Sequence, residues 1–307
     1  MTRSSIKNIA ASVRQRLLNN ARETGRPFNE ILQYFAMERF LYRLSESPYS
    51  ANLVLKGALM LTVWEAPFSR PTMDIDFLGQ IDNNIKTITA IVTDICRQKV
   101  EPDGIIFDLS SIQGEHITED ADYEGVRVRF HGSLGTAKFT MQLDIGFGDV
   151  VIPAPASLEY PTILDLPVPK LLGYSRESSI AEKFEAMVKL GVVSSRMKDF
   201  FDIWLLSQQF DFEGKRLAAA IDKTFSTRGT IIQSEPNSLT NSFAEDPIKV
   251  TQWRGFIRKI RLTSVPQDFR EVIEAISIFL KPIAERLATE KPFEATWRAP
   301  GPWRYLQ

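Results

Sequence analysis

Apolar residues recur at helical spacing from the N-terminus to Leu44: Ile6, Ile9, Val13 and Leu17, then Ile31, Leu32, Phe35, Phe40, Leu41 and Leu44. Thr24-Gly25-Arg26-Pro27 divides them into two predicted helices. Asn52 to Gly57 is a short apolar run stopped by glycine; Leu59, Leu61 and Trp64 follow it, predicting a strand or turn that leads into a helix. Pro67 and Pro71 mark a loop, Asp74 to Leu78 alternates as a strand, and Ile85, Ile88, Ile91, Val92 and Ile95 form a helical stripe. Between Ile105 and Val151 the period shortens to two. Val126 to Phe130 and Lys138 to Phe147 then predict a β-hairpin with its turn at Gly132-Ser133-Leu134-Gly135.

In the second hairpin strand Phe139, Met141, Leu143, Ile145 and Phe147 share one face, which places Thr140, Gln142 and Asp144 on the other. Five prolines between Val151 and Pro169 predict a connector, with a domain boundary near its end. Everything beyond Ser178 reads as helical, starting at the Ser179-x-x-Glu182 capping box. Within it Thr227 to Pro247 is a polar loop, Trp253 to Leu262 a basic helix, and Phe269 to Leu287 a helix that Pro282 should kink. There is no internal repeat.

Composition narrows the classes. A chain of 307 residues with 44% hydrophobic and 24% charged residues suits a folded protein of two packed units and excludes disordered and collagenous classes. A single cysteine, Cys96, excludes an intrachain disulfide, and two histidines, His116 and His131, leave too few soft ligands for zinc. Metal chemistry must therefore rest on carboxylates. Apolar stretches fall short of the ~18–20 residues that span a bilayer, and no apolar signal core is present, so a cytoplasmic protein is expected. The net charge of -1 argues against a protein that coats nucleic acid. Eight Lys/Arg against four Glu in the first fifty residues are either a solvated face or a contact surface for an acidic partner.

Alternation along the strand puts Asp74 and Asp76 on one face, with Ile75 and Phe77 buried behind them. Two carboxylates on a rigid face invite a hard divalent cation such as Mg²⁺, which keeps open positions for water and phosphates. Asp-hydrophobic-Asp is also common on exposed strands. Asp144, on the polar face of its own strand, can join the pair, completing the site and offering a base for an attacking hydroxyl. Upstream, Gly57-Ala58 sits where a helix begins, and a glycine there lets phosphate approach the backbone.

Four blocks now stand in order: Leu55-Lys56-Gly57-Ala58-Leu59, Arg70-Pro71-Thr72-Met73-Asp74-Ile75-Asp76-Phe77, Ala181-Glu182-Lys183-Phe184-Glu185-Ala186 and Arg196-Met197-Lys198-Asp199-Phe200-Phe201-Asp202. With them the chain resembles the nucleotidyltransferase superfamily that includes DNA polymerase beta, and specifically the AbiEii/AbiGii family of toxin nucleotidyltransferases. The resemblance covers about residues 50 to 207. One departure is Ala58, where family members commonly carry Gly or Ser; a hydroxyl that could hold phosphate is lost, while the backbone N–H groups remain.

The resemblance implies an α+β fold. A polymerase-beta-like nucleotidyltransferase domain with a small mixed or antiparallel sheet, preceded by N-terminal helices, would occupy residues 1–170, and a C-terminal helical domain residues 171–307. It implies two Mg²⁺ ions held by Asp74, Asp76 and Asp144, a nucleoside triphosphate substrate (ATP, GTP or CTP), and catalytic roles for Lys183 and Asp199. Gly57, Ala58, Arg70, Lys183, Arg196 and Lys198 would bind the nucleotide. Lys198 and Asp202 are also spaced i,i+4, which stabilises a helix without any function. The implied activity is transfer of a nucleoside monophosphate to an RNA acceptor, the 3′ end of tRNA, by a toxin countered by an antitoxin. An acceptor of that size needs a basic surface, which Arg254, Arg258, Lys259 and Arg261, or Arg14, Arg16 and Arg22, could supply. A protein hydroxyl as acceptor, or a non-catalytic nucleotide-binding module of the same fold, are the alternatives.

Overall fold

The computed structural model describes residues 8–66, 70–117, 125–260, 262 and 264–305. Ile6, Pro67 and Arg261, all invoked above, and two of the eight N-terminal basic residues, Arg3 and Lys7, lie outside the described residues. The chain divides into two compact units. The first comprises Met1–Trp64, Thr72–Gly148 and Ala156–Gly173, and the second Glu65–Pro71, Asp149–Pro155 and Tyr174–Gln307.

The first unit is built on a mixed sheet. Two helices, α1 (Ile9–Thr24) and α2 (Phe28–Ser45), precede β1 (Leu53–Lys56), α3 (Leu59–Val63), β2 (Ile75–Gly79) and α4 (Ile85–Arg97). The long strands β3 (Ile105–Ile117), β4 (Gly125–Leu134) and β5 (Ala137–Gly146) follow, then β6 (Ala156–Glu159) and β7 (Lys170–Gly173). The strand order is β3-β4-β5-β2-β1-β7-β6, parallel at β2/β5 and β1/β7 and antiparallel elsewhere. Helix boundaries follow local chemistry. Asn8 accepts a bond from Ala11 N and Asn84 from Lys86 N, capping α1 and α4, while Gly25 ends α1 in the left-handed region that glycine reaches without strain.

One face of the sheet is core. Val126, Val128 and Phe130 of β4, Met141, Leu143 and Ile145 of β5, and Ile75 and Phe77 of β2 are buried in register. Helix α2 covers them, with Phe40 against Phe130 and Phe107 at ring-centroid distances of 5.9 and 6.1 Å. The other face carries the intervening polar residues. Two of the N-terminal basic residues are not on the surface at all. Arg43 forks onto Asp103 at 2.7 and 3.1 Å, both buried. Arg39 pairs with Glu38 at 2.7 Å and donates to Pro167 O, and Glu38 accepts from Ile163 N. Burial pushes the Glu38 carboxyl up to about 7 against the pull of Arg39.

The proline-rich connector contains structure that its composition hides. All five prolines fall outside the four-residue strands β6 and β7, which pair from Ala156↔Gly173 to Glu159↔Lys170. The hairpin turn is also displaced: β4 and β5 close at Leu134↔Ala137, past the expected position.

The second unit is mostly helical: α5 (Arg176–Leu190), α6 (Met197–Gln209), α7 (Gly214–Thr227), α8 (Asn241–Glu245), α9 (Pro247–Ile260) and α10 (Phe269–Ala288), the last continuing through Pro282. Helix α5 starts before the expected capping box, because Ser175 rather than Ser179 caps it. Its Oγ accepts from Ser178 N and donates to Ile152 O. The predicted loop from Thr227 to Pro247 holds α8, whose Phe243 stacks on Phe200 at 5.5 Å. The all-helical expectation fails at a three-stranded sheet of β8 (Phe212–Glu213), β9 (Ala295–Trp297) and β10 (Trp303–Tyr305). These strands are too short to show a period. Trp297 and Trp303 pack on Phe279 and their indole N–H groups donate to Ser207 O and Phe279 O. No described helix is long and apolar enough to cross a membrane.

Candidate active site

The polar face of the first unit's sheet converges on three acids. Asp74 immediately precedes β2, Asp76 lies within it, and the parallel register pairs Asp76 with Asp144 on β5. Side chains in register share a face, so three carboxylates from two strands meet, offering oxygen atoms all within 4.8 Å of one another. Each is half-buried, over a floor of Ile75, Phe77, Leu143 and Ile145. An all-carboxylate, partly open donor set suits a hard divalent cation that retains water or phosphate ligands.

Several residues that sequence reasoning missed hold this arrangement. Buried Gln33 on α2 donates to Thr140 O at 3.0 Å and Met73 O at 3.3 Å, tying the entrance of β2 to β5. The Thr72 hydroxyl bonds Asp74 Oδ1, and Thr72 N donates to the Tyr34 hydroxyl. Arg127 on β4 grips Asp144 through Nε–Oδ1 at 2.8 Å and Nη2–Oδ2 at 2.7 Å, a bidentate fork. The hairpin register was the available signal for Arg127. A turn at Gly135-Thr136 sets Arg127 opposite Asp144, whereas the turn read from the glycines sets other residues there.

Gly57 has φ +71, and a Cβ at this position would collide with the Asp76 carboxylate. Glycine is required here for both reasons. The helix that follows is only the five-residue α3, a single turn, so the expected helix-end field at Gly57-Ala58 is weak; Ala58 itself is buried.

The other predicted residues assemble within the second unit. Arg70 forks onto Asp202 at 2.8 and 3.0 Å. Lys183, in the middle of α5, reaches Asp202 at 2.9 Å and Asp199 at 3.4 Å, and Arg196 contacts Asp199 at 2.7 Å. Five charged side chains thus form one chain of ion pairs. Asp199 and Asp202 are each 1% exposed, against 41% for Arg196. Burial works against the Asp202 carboxylate, yet Arg70 and Lys183 overcome it and hold its pKa at about 2. Burial likewise opposes the Lys183 ammonium, but Asp202 and Asp199 outweigh it and raise its pKa. Lys198 is exposed, and Asp202 points to Arg70 and Lys183 instead of an i,i+4 pairing with it. Beside Lys183 on the same helix, Glu182 and Glu185 take part with Asp149 in a second network around Arg228, at 3.4, 2.8 and 2.8 Å. Sequence reasoning did not single it out.

Two H. pylori structures are similar to this chain. One, a candidate nucleotidyltransferase, is 16% identical over 85% of this chain and 95% of its own, with a TM-score of 0.45. The other, JHP933, is 16% identical over 85% of this chain and 92% of its own, with a TM-score of 0.46. No curated protein matches the chain. The model of one family, the nucleotidyl transferase AbiEii toxin of type IV toxin-antitoxin systems, matches residues 39–275, which include all three carboxylates and the whole Arg70–Asp202 network. The chain therefore belongs to the AbiEii family of toxin nucleotidyltransferases.

Proposed function

We propose that this protein transfers a nucleoside monophosphate from a nucleoside triphosphate to an acceptor hydroxyl on RNA, the 3′ end of tRNA, in the cytoplasm, as a toxin restrained by an antitoxin. The observation that carries the reading is the convergence of Asp74, Asp76 and Asp144 on one sheet face in an AbiEii-family chain. These three would hold Mg²⁺, two ions when nucleotide is bound; bound there, the metal supplies neutralisation of phosphate charge and activation of the attacking oxygen.

The chain's own residues do the rest. Thr72 and Arg127 orient Asp74 and Asp144, and Gly57 leaves space for the Asp76 carboxylate. The Gly57-Ala58 backbone and the cations Lys183, Arg70, Arg196 and Lys198 are the groups assigned to the triphosphate. Asp199 and Asp202 set the charge of Lys183 and the direction in which it points. The exposed basic residues of α9, Arg254, Arg258 and Lys259, are the surface assigned to the RNA backbone, with Arg14, Arg16 and Arg22 on α1 second.

The test is to incubate the protein with each α-³²P-labelled nucleoside triphosphate and Mg²⁺, with total RNA or total protein as acceptor. Label is expected in the tRNA fraction. Label in protein alone overturns the RNA acceptor and identifies a protein-modifying enzyme, while the absence of label with every triphosphate and both acceptors overturns catalysis.

A further inference from the structure

Two cations flank the carboxylates, and the transfer reaction alone does not require them there. Register runs from Lys56 on β1 to Asp76 on β2, from Asp76 to Asp144 on β5, and from Asp144 to Arg127 on β4, a single row across four strands. Residues in register project to the same face. With Asp74, these five side chains, three carboxylates against two cations, sum to a formal charge of only -1, and Glu115, in register with Arg127, is paired with Arg129 at 2.5 Å. Arg127 and Asp144 are 17% and 15% exposed, so water screens their pairing less than it would on an open surface. Gln142 Nε2 adds a bond to Asp144 Oδ2 at 3.4 Å. The guanidinium fork takes one lone pair from each Asp144 oxygen and Gln142 a second from Oδ2, which leaves the other lone pair of Oδ1 for a metal. A divalent ion placed there would nevertheless meet the positive charge of Arg127 close by.

We infer that Arg127 is a positioning residue of the metal site: it fixes the Asp144 carboxylate and holds down the affinity for a bare divalent ion, so that ion uptake depends on the polyanionic triphosphate. The inference rests on the metal-site reading proposed above. A site of three carboxylates without Arg127 would capture free divalent cations. With Arg127 and Lys56 beside it, the negative charge that favours ion entry comes from the nucleotide.

The test is Mn²⁺ binding to the full chain, measured by calorimetry and by loss of the free-ion EPR signal, with and without an equimolar mixture of ATP, GTP, CTP and UTP. Without nucleotide, Arg127→Met should bind Mn²⁺ about tenfold more tightly than wild type, Arg127→Lys close to wild type, and Arg127→Gln, which keeps a donor without charge, more tightly as well. Nucleotide should tighten Mn²⁺ binding more in wild type than in Arg127→Met. Thermal unfolding identifies which variants are folded, and Arg127→Gln carries the test if Arg127→Met is not. Unchanged or weakened Mn²⁺ affinity in the folded neutral variant overturns the inference and leaves Arg127 a purely structural partner of Asp144. The metal-site reading fails separately, if Mn²⁺ binding to wild type survives unchanged in Asp76→Asn.

Discussion

The protein contains two clusters of charge that look alike in sequence and differ in physical character. On the sheet of the first unit, Asp74, Asp76 and Asp144 are half-buried acids brought within 4.8 Å of one another, with like charges facing each other. In the helical unit, Asp199 and Asp202 are 1% exposed and each is matched by cations, so that the network is internally satisfied. Like charges held together in water's reach strain a fold and gain meaning from a ligand that relieves them. Buried opposite charges hold each other, and removing one strands its partner. Asp74 and Asp76 should therefore be separable from stability, whereas Asp144, gripped by Arg127, and the second cluster should not.

The largest effect tests the first half of that contrast. Asp74→Ala and Asp76→Ala should each reduce nucleotide transfer by about 10³-fold or more, since a metal's contribution to transition-state charge amounts to several kcal/mol. The unfolding midpoint should stay the same or rise, because a like-charge neighbour is removed. Full transfer activity in either variant would mean that the ion is held elsewhere, and a steep loss of stability would mean that these acids are structural.

Next in size comes the buried network. Asp202→Ala leaves Arg70 and Lys183 without a shared counter-charge and should destabilise the protein by about 3–5 kcal/mol in chemical denaturation. Lys183→Ala should cost less, because Asp202 keeps Arg70 and Asp199 keeps Arg196, and Lys183→Arg should rescue it incompletely, because a planar fork replaces a point charge. Nucleotide affinity falling in Lys183→Ala with no change in stability would break the comparison and make Lys183 a phosphate ligand alone.

The same network sets a pH dependence. The folded-state pKa of Asp202, about 2, lies below its ordinary value of 3.8, so its stabilisation is present above that ordinary value and is lost as pH falls toward 2. The amount is on the order of 2 kcal/mol. For Lys183 the shift is upward, so its contribution holds below 10.5 and disappears only as pH rises through the raised value. Between these limits the network should be insensitive to pH. Wild type and Asp202→Asn should converge in unfolding midpoint between about pH 4 and pH 2; a constant gap across that range would show that Asp202 does not titrate with folding.

The smallest effect belongs to the exposed basic residues. Replacing Arg254, Arg258 and Lys259 with Glu should weaken RNA binding and flatten its dependence on salt by about one unit of log–log slope for each phosphate no longer neutralised, leaving nucleoside triphosphate binding unchanged. Survival of both RNA affinity and salt slope after reversal of this set and of Arg14, Arg16 and Arg22 would favour a protein acceptor.

What the sequence determined by itself was whatever depends on local period and on residue chemistry. The two-residue alternation at Asp74 to Leu78 and Lys138 to Phe147 was sufficient to place Asp74, Asp76 and Asp144 on polar faces, because the pleat leaves a strand residue only two directions. Helical stripes located α1, α2, α4 and α10, and the motif blocks pointed to the family that the matched residues establish. What only the tertiary structure decided was pairing. Strand order and register set Lys56, Asp76, Asp144 and Arg127 in one row, and a shift in the turn would have put a different residue on Asp144. Packing buried Arg39 and Arg43, which local sequence could not distinguish from a solvated basic face, because charge pattern along a chain carries no information about distant counter-charges such as Asp103. Tertiary packing also turned Asp202 away from its i,i+4 neighbour toward Arg70, 132 residues earlier in the chain. A buried carboxylate is held by whichever cation the fold delivers to it, and that choice is made across the fold rather than along the sequence.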